Sequence, residues 1–253
     1  MPEPVNDAPQ FPATRWSIVI AAAGSGKEAR AALEELCRVY RFPLYAFARQ
    51  NGCTPEDAED ETQDFLARAA SGEILARATP QRGRLRTYLL AAFQRDLIDT
   101  HRRRNRQKRG GHFEIVSLEC LNAEDRFCCT TLRSSAEATY DYTWAMSCLE
   151  NATGKLEAEY GARGQGTLFA ALRAFLDPGA GGVYTEDAIP GLDANAQRQA
   201  VFRLRQRFRV LLRQTVANTL ESPTEDQIDE EILALRTALS GWTSPGSPAS
   251  GAR

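Results

Sequence analysis

The sequence is poor in what a β-sheet needs: across its 253 residues, runs that alternate Val, Ile and Thr are almost absent, so a sheet core is hard to assemble from it. No apolar stretch approaches membrane-spanning length, which argues against a membrane partner. The six cysteines, at positions 37, 53, 120, 128, 129 and 148, contain no Cys-x-x-Cys pair, and no secretory leader is recognisable. Reduced thiols in a soluble, cytoplasmic protein are therefore expected. Histidine is confined to His101 and His112. A zinc site built from His112, Cys120, Cys128 and Cys129 lacks any standard ligand spacing. Gly24-Ser25-Gly26-Lys27 lacks both the first glycine of a phosphate loop and a preceding strand. Neither cofactor, metal nor catalytic residue is expected, and the chain is not read as an enzyme.

Ala, Leu, Arg, Glu and Gln dominate instead, and these are helix formers. The fold class that follows is all-α, in two small helical domains joined by a linker. Residues 1–14 and 241–253 are rich in Pro, Ser or Gly and predict disordered ends. Between them the pattern divides into a helical domain over 15–109, a linker over 110–133 without clear period, a second helical domain over 134–220 and a terminal helix over 221–240.

In the first domain, Leu33 to Phe47 reads as two helical stretches with Pro43 opening the second, stopped by Asn51-Gly52. Thr54-Pro55-Glu56-Asp57 then announces a helix from Pro55 to about Ala70: Thr54 caps, Pro55 suits the first position, and the acids favour the positive end of the dipole. Glu56, Asp57, Glu59, Asp60, Glu61 and Asp64 crowd this helix. A solvated surface, a divalent-metal site for nuclease chemistry and a docking face for a basic partner compete to explain them. Metal-dependent hydrolysis wants carboxylates converging from separate elements. The docking face is favoured because Gln63, Phe65 and Leu66 adjoin the charges.

Charge is unevenly spread. From Arg82 to Arg109 ten Lys or Arg face only Asp96 and Asp99, although the whole chain carries a net charge of -2. So concentrated a positive segment suits a phosphate backbone, with a solvated basic loop as the bland alternative. At 100° per residue Leu85, Leu89, Phe93 and Leu97 share one side of a helix, while Arg84, Tyr88, Arg95 and Arg102 lie opposite. Such a face neutralises phosphates while an aromatic stacks on an exposed base, with half-buried packing as the other reading of Tyr88. Arg102, Arg103 and Arg104 suit phosphate contact better than base reading.

In the second domain, Thr143–Tyr160 and Gly166–Leu176 read as helices. A short helix at Tyr184–Ile189, the turn Pro190-Gly191, and a long helix capped by Asp193 and reaching about Thr215 suggest a helix-turn-helix. Its long helix packs Val201, Leu204, Phe208, Leu211 and Leu212 and carries Arg198, Arg205, Arg209 and Arg213 on one flank, as a recognition helix would, with a helix arginine-rich for solubility as the bland alternative. Ser222-Pro223-Thr224-Glu225 has the form of a capping box for the terminal helix.

Two runs carry a resemblance. Pro55-Glu56-Asp57-Ala58-Glu59-Asp60-Glu61-Thr62-Gln63-Asp64-Phe65-Leu66 resembles the second conserved region of sigma-70 factors. Arg82-Gly83-Arg84-Leu85-Arg86-Thr87-Tyr88-Leu89-Leu90 resembles the entry to their promoter-melting helix. Phe11-Pro12-Ala13-Thr14-Arg15-Trp16-Ser17, Gln107 to Gly111, Tyr142 to Ala145, Leu168 to Leu172, Arg203-Leu204-Arg205 and Glu230 to Leu235 extend the likeness to an extracytoplasmic-function (ECF)-like subgroup over residues 11–239. The resemblance implies a sigma factor that binds core RNA polymerase and directs promoter recognition and DNA opening, with an anti-sigma or other regulatory partner conceivable. It implies that Asp57, Asp60, Gln63 and Phe65 touch the polymerase clamp. Arg84, Arg86, Tyr88, Arg95, Arg102, Arg103 and Arg104 would meet the promoter element nearer the start site, and Arg198, Arg203 and Arg205 the upstream element. Pro190 and Gln197 depart from the family's apolar and β-branched residues, which implies a reoriented turn and upstream recognition that is degenerate or lost. The rival from another class is a free-standing helix-turn-helix regulator that binds duplex DNA by itself.

Overall fold

The computed structural model describes residues 27–71, 73–74, 84–107, 118–130, 133–176, 192–220 and 223–240. The described residues are helical and contain no strand, as composition predicts. The helices are α1 (Lys27–Gln50), α2 (Pro55–Ala70), α3 (Leu85–Gln107), α4 (Leu118–Cys129), α5 (Ala136–Ala162), α6 (Gly166–Leu172, continued by a 3-10 turn over Arg173–Leu176), α7 (Ala194–Ala217) and α8 (Glu225–Ser240).

Several ends form as the sequence announces. Thr54 accepts from Asp57 N at 3.1 Å to open α2, and Asp193 accepts from Ala196 N at 2.7 Å to open α7. The α1–α2 corner needs glycine, because Gly52 sits at φ +88 in the left-handed region.

Four expectations are corrected. Pro43 does not divide α1, which runs unbroken through it. Proline normally breaks a helix by removing one hydrogen bond, but Phe42, Leu44 and Tyr45 are all buried around it, and packing from the core holds the turn. The stretch over 110–133 is not wholly linker, since α4 occupies much of it. α5 begins at Ala136, earlier than Thr143, because the Ser135 side chain accepts from Ala138 N. The capping box of α8 lies two residues on: Thr224 N donates to Gln227 Oε1 at 2.9 Å and Gln227 N returns to Thr224 Oγ1 at 3.3 Å. The expected ends over 1–14 and 241–253, the phosphate-loop fragment at Gly24-Ser25-Gly26, and the short helix and turn over 184–191 lie outside the described residues.

Packing crosses the sequence boundary between the two helical blocks. One apolar cluster joins Tyr40, Leu44 and Phe47 of α1 and Phe65, Leu89 and Phe93 of α2 and α3 to Tyr140 and Trp144 of α5, Val216 of α7, and Ile228 and Leu235 of α8. An aromatic chain threads it, Phe65 meeting Phe93 edge-on at 5.1 Å, Phe93 meeting Phe47 at 6.3 Å, and Phe47 meeting Tyr140 at 6.5 Å. A second cluster lies wholly C-terminal, with Ala152 and Leu156 of α5 against Phe169, Leu172, Val201, Leu204 and Leu211. α5 is thus the shared spine: its first half belongs to one core and its second half to the other. Where the two meet, Lys155 of α5 forms an ion pair with the buried Glu35 of α1 and reaches Thr215 Oγ1 of α7 at 3.3 Å. This fastens three helices at one polar point inside an apolar interface.

Candidate functional site

α2 presents its charges on one side because its other side is core. Ala58, Phe65, Leu66 and Ala69 are buried, whereas Asp60, Gln63 and Asp64 are exposed and Asp57 is half-buried. Phe65 is therefore corrected from a docking residue to a packing residue: with 0% exposure and a ring contact to Phe93, it has no surface to offer. Leu66 is buried likewise. Glu59 also turns inward, pairing with Arg41 of α1 and accepting from Gln63 Nε2 at 2.6 Å. The outward face is thus polar and acidic, with Gln63 held in place from beneath.

α3 packs Leu85, Leu89 and Phe93 inward. At its junction with α2 the sign of charge is reversed: Arg68 belongs to the acidic helix and Asp96 to the basic one, and these two form the ion pair. Thr100 Oγ1 adds a bond to Glu61 at 3.1 Å. Asp60 and Asp64 on one side, and Arg95 and Arg102 on the other, remain exposed. Arg95 Nε bonds Ala91 O of its own helix at 3.1 Å, and Arg102 lies 3.9 Å from Asp99. Arg103 and Arg104 lie on α3, with side chains outside the described residues. Tyr88 is half-buried and donates to Ile74 O at 2.6 Å, so in this arrangement its hydroxyl serves packing.

The start of α3 departs most from expectation. Arg84 Nε lies 2.9 Å from Glu231 Oε2 of α8. Arg86 Nε donates to Glu231 Oε1 at 2.7 Å, its other arm pairs with Asp141, and its guanidinium lies 4.9 Å over the Trp144 ring. Burial works against the Arg86 charge, and the Glu231 and Asp141 carboxylates outweigh it, holding its pKa above the ordinary value. As found, Arg86 faces carboxylates rather than solvent, so the expected DNA contact is not open at this position. Asp141 was not singled out in the sequence, and Glu231 only within the run Glu230 to Leu235 that extends the resemblance, with no pairing to the arginines expected.

α7 carries its packing stripe of Val201, Leu204 and Leu211 inward. Arg198, Arg203 and Arg205 are exposed, and Arg205 Nε donates to Phe175 O at 3.0 Å. An open cleft of about 360 Å³ on this helix is lined by Arg198, Val201, Phe202, Arg205, Gln206 and Arg209. Phe202, 65% exposed, is an apolar group among arginines. Sequence reasoning passed it over, though it follows Arg198 by one helical turn. The buried Gln197 donates to Leu192 O at 3.0 Å and so braces the segment that enters the helix.

Among the described residues no three His, Cys, Asp or Glu side chains are grouped to hold a metal ion, no helix is long and apolar enough to cross a membrane, and Cys37, Cys53, Cys128, Cys129 and Cys148 are outside any disulfide. The zinc alternative through His112 and Cys120 lies outside the described side chains.

The described residues thus bring together an all-helical fold with one acidic and two arginine-bearing helix faces. The model of the family described as ECF sigma factor matches residues 31–161, just over half of the chain, and the chain belongs to that family. No curated protein and no solved structure matches it. Membership makes it a sigma factor of transcription initiation, acting in promoter recognition. The match takes in most of α1, all of α2 to α4 and nearly all of α5, while α6, α7 and α8 lie beyond it.

Proposed function

We propose that this sigma factor binds core RNA polymerase through the outward face of α2, with Asp57, Asp60 and Gln63 as contacts. Arg95, Arg102, Arg103 and Arg104 of α3 meet promoter DNA next to the start site and stabilise the opened strand, aided by Arg84, Arg86 and Tyr88 once these are released from their present partners. Arg198, Arg203 and Arg205 of α7 serve the upstream element, and residues 134–220 act as the helix-turn-helix unit. The protein itself performs no bond chemistry and works where polymerase works, in the cytoplasm.

The observation that carries this reading is the charge inversion between α2 and α3. The ion pair at their junction is Arg68 to Asp96, while Asp60 and Asp64 of α2 and Arg95 of α3 are exposed, which supports separate ligands for the two helices. Guanidiniums on a helix face displace counterions from a nucleic-acid backbone, and binding is correspondingly salt-dependent. Reconstitution with core polymerase on promoter DNA tests the proposal: transcription from defined start sites is expected only when both proteins are present. Tight, site-specific binding to duplex DNA by the chain alone, with no effect on core polymerase, would overturn it in favour of a free-standing regulator.

A further inference from the structure

α8 lies outside the matched family region and is anchored by apolar contacts, since Ile228 and Leu235 are buried in the shared core. Glu231 sits on the same side of the helix as these two and is 1% exposed. A carboxylate at such a position is strongly unfavourable unless paired and hydrogen-bonded. Its partners are the two arginines that open α3: Arg86 Nε donates to Oε1 at 2.7 Å, whereas Arg84 Nε lies 2.9 Å from Oε2 as an ion pair and leaves that oxygen without a hydrogen bond. Glu230 adds a second contact to Arg84 at 3.5 Å. Arg213 of α7, paired with Glu225 and Asp229, secures the other end of α8.

Guanidinium groups take carboxylate and phosphate in the same way, through charge-assisted N–H donors. One carboxylate that accepts from Arg86 through one oxygen and lies within ion-pair distance of Arg84 through the other, at the head of a basic helix, therefore marks an anion site already filled by the chain itself. We propose that Glu231, with Glu230, occupies a phosphate-binding fork formed by Arg84 and Arg86, and that α8 competes with promoter DNA for it. The inference rests on the promoter-binding reading above. Arg84 is the residue by which DNA enters: its side chain is 37% exposed against 13% for Arg86, so a phosphate reaches it first and displaces the exposed Glu230 before the buried Glu231.

The test uses the full chain without polymerase, titrated against a forked DNA with a single-stranded segment, by fluorescence anisotropy at several salt concentrations. Glu230→Gln is expected to bind about threefold tighter than the parent, and Glu230→Gln with Glu231→Gln about tenfold tighter. The double variant should also show a log–log salt slope steeper by about one to two, one unit for each phosphate gained. Adding Arg84→Gln should cancel the gain. Asp226→Asn, which removes a charge from the same helix without contacting either arginine, should leave affinity near the parent's. Because Glu230 is exposed, its single variant folds even where loss of Glu231 unfolds the chain. Unchanged affinity and slope in a folded Glu230→Gln chain, or a gain equalled by Asp226→Asn, would overturn the competition. Initiation assays with core polymerase on the parent keep the two readings apart: a parent that initiates while its α8 variants gain no affinity refutes the fork alone, and a parent that fails to initiate refutes the reading beneath it.

Discussion

The Arg49 guanidinium and the Glu124 carboxylate meet twice, Nε to Oε2 and Nη2 to Oε1, each at 2.7 Å. Tyr45 donates to the same carboxylate at 2.6 Å, and the Phe127 ring closes over Arg49 at 5.2 Å. This cluster ties α4 to α1 across 75 positions of sequence and explains why a segment without an apolar period is helical.

A pH dependence follows. The hydrogen bond from Arg49 chiefly, with Tyr45 assisting against partial burial, lowers the Glu124 pKa from 4.5 to about 2. A carboxyl whose folded pKa is depressed adds stability above its unfolded pKa and loses it as pH falls toward the folded one. Glu124 should therefore support the fold fully above about pH 4.5 and cease to do so near pH 2. Glu124→Gln should cost about 2 kcal/mol at neutral pH, as for a hydrogen bond to a charged group, and flatten the decline between those limits. Thermal melts of both proteins across that range check this, and parallel profiles would refute it.

Asp60 and Phe65 should separate cleanly. Asp60 is exposed and Phe65 fully buried on the same helix. Asp60→Arg is expected to weaken core polymerase binding at least tenfold with an unchanged melting temperature. Phe65→Ala should instead cost about 3–5 kcal/mol of stability, as for other aromatic truncations in a core. Co-purification with core enzyme, read beside melts, distinguishes them. An Asp60→Arg chain that binds as the parent does would remove α2 as the docking face.

These contrasts show which features were legible in the sequence. Local signals were read correctly: Thr54 before Pro55, and Asp193 before an apolar period, each satisfy backbone N–H groups within three residues. The apolar period likewise placed Leu85, Leu89 and Phe93 inward. Pro43 was misread because the breaking rule describes a helix without tertiary support, and Leu44 and Tyr45 supply that support here. At the site, the charge stripes were legible but their occupancy was not. The partners of Arg86 lie 55 and 145 positions away, and no local pattern announces such pairing. Phe65 was misplaced for a related reason: a polar helix with one phenylalanine gives no sign of whether that ring faces a partner protein or its own core.

The ion pair between Glu35 and Lys155 should behave as a switch in stability rather than a simple sum. Glu35 has 7% of its side chain exposed and Lys155 30%, so Lys155→Met leaves the more buried charge with only the longer 4.0 Å contact to Arg38. A loss of about 3 kcal/mol is expected, in the range for breaking a buried pair. Glu35→Leu combined with Lys155→Met should recover most of it, since no buried charge is then left, Arg38 is exposed, and Thr215 keeps its contact to Asn151. Denaturant titration of the two single variants and the double supplies the cycle, and additive losses would show that the two side chains do not depend on each other.

Arg198, Arg203 and Arg205 of α7 should differ in kind. Arg198 and Arg203 are exposed, and Arg205, although exposed, also holds the Phe175 carbonyl at 3.0 Å. If each contributes one phosphate contact, Arg198→Ala and Arg203→Ala should each lower the salt slope of binding to upstream promoter DNA by about one, with little change in stability. Arg205→Ala should lower the slope similarly and also destabilise the fold by about 1 kcal/mol, because the hydrogen bond from its Nε to the Phe175 carbonyl in the turn after α6 is lost. Polymerase-bound chain titrated against promoter DNA at several salt concentrations measures the slopes, and melts measure the stability. Equal slopes for the parent and all three variants would place the upstream DNA away from α7.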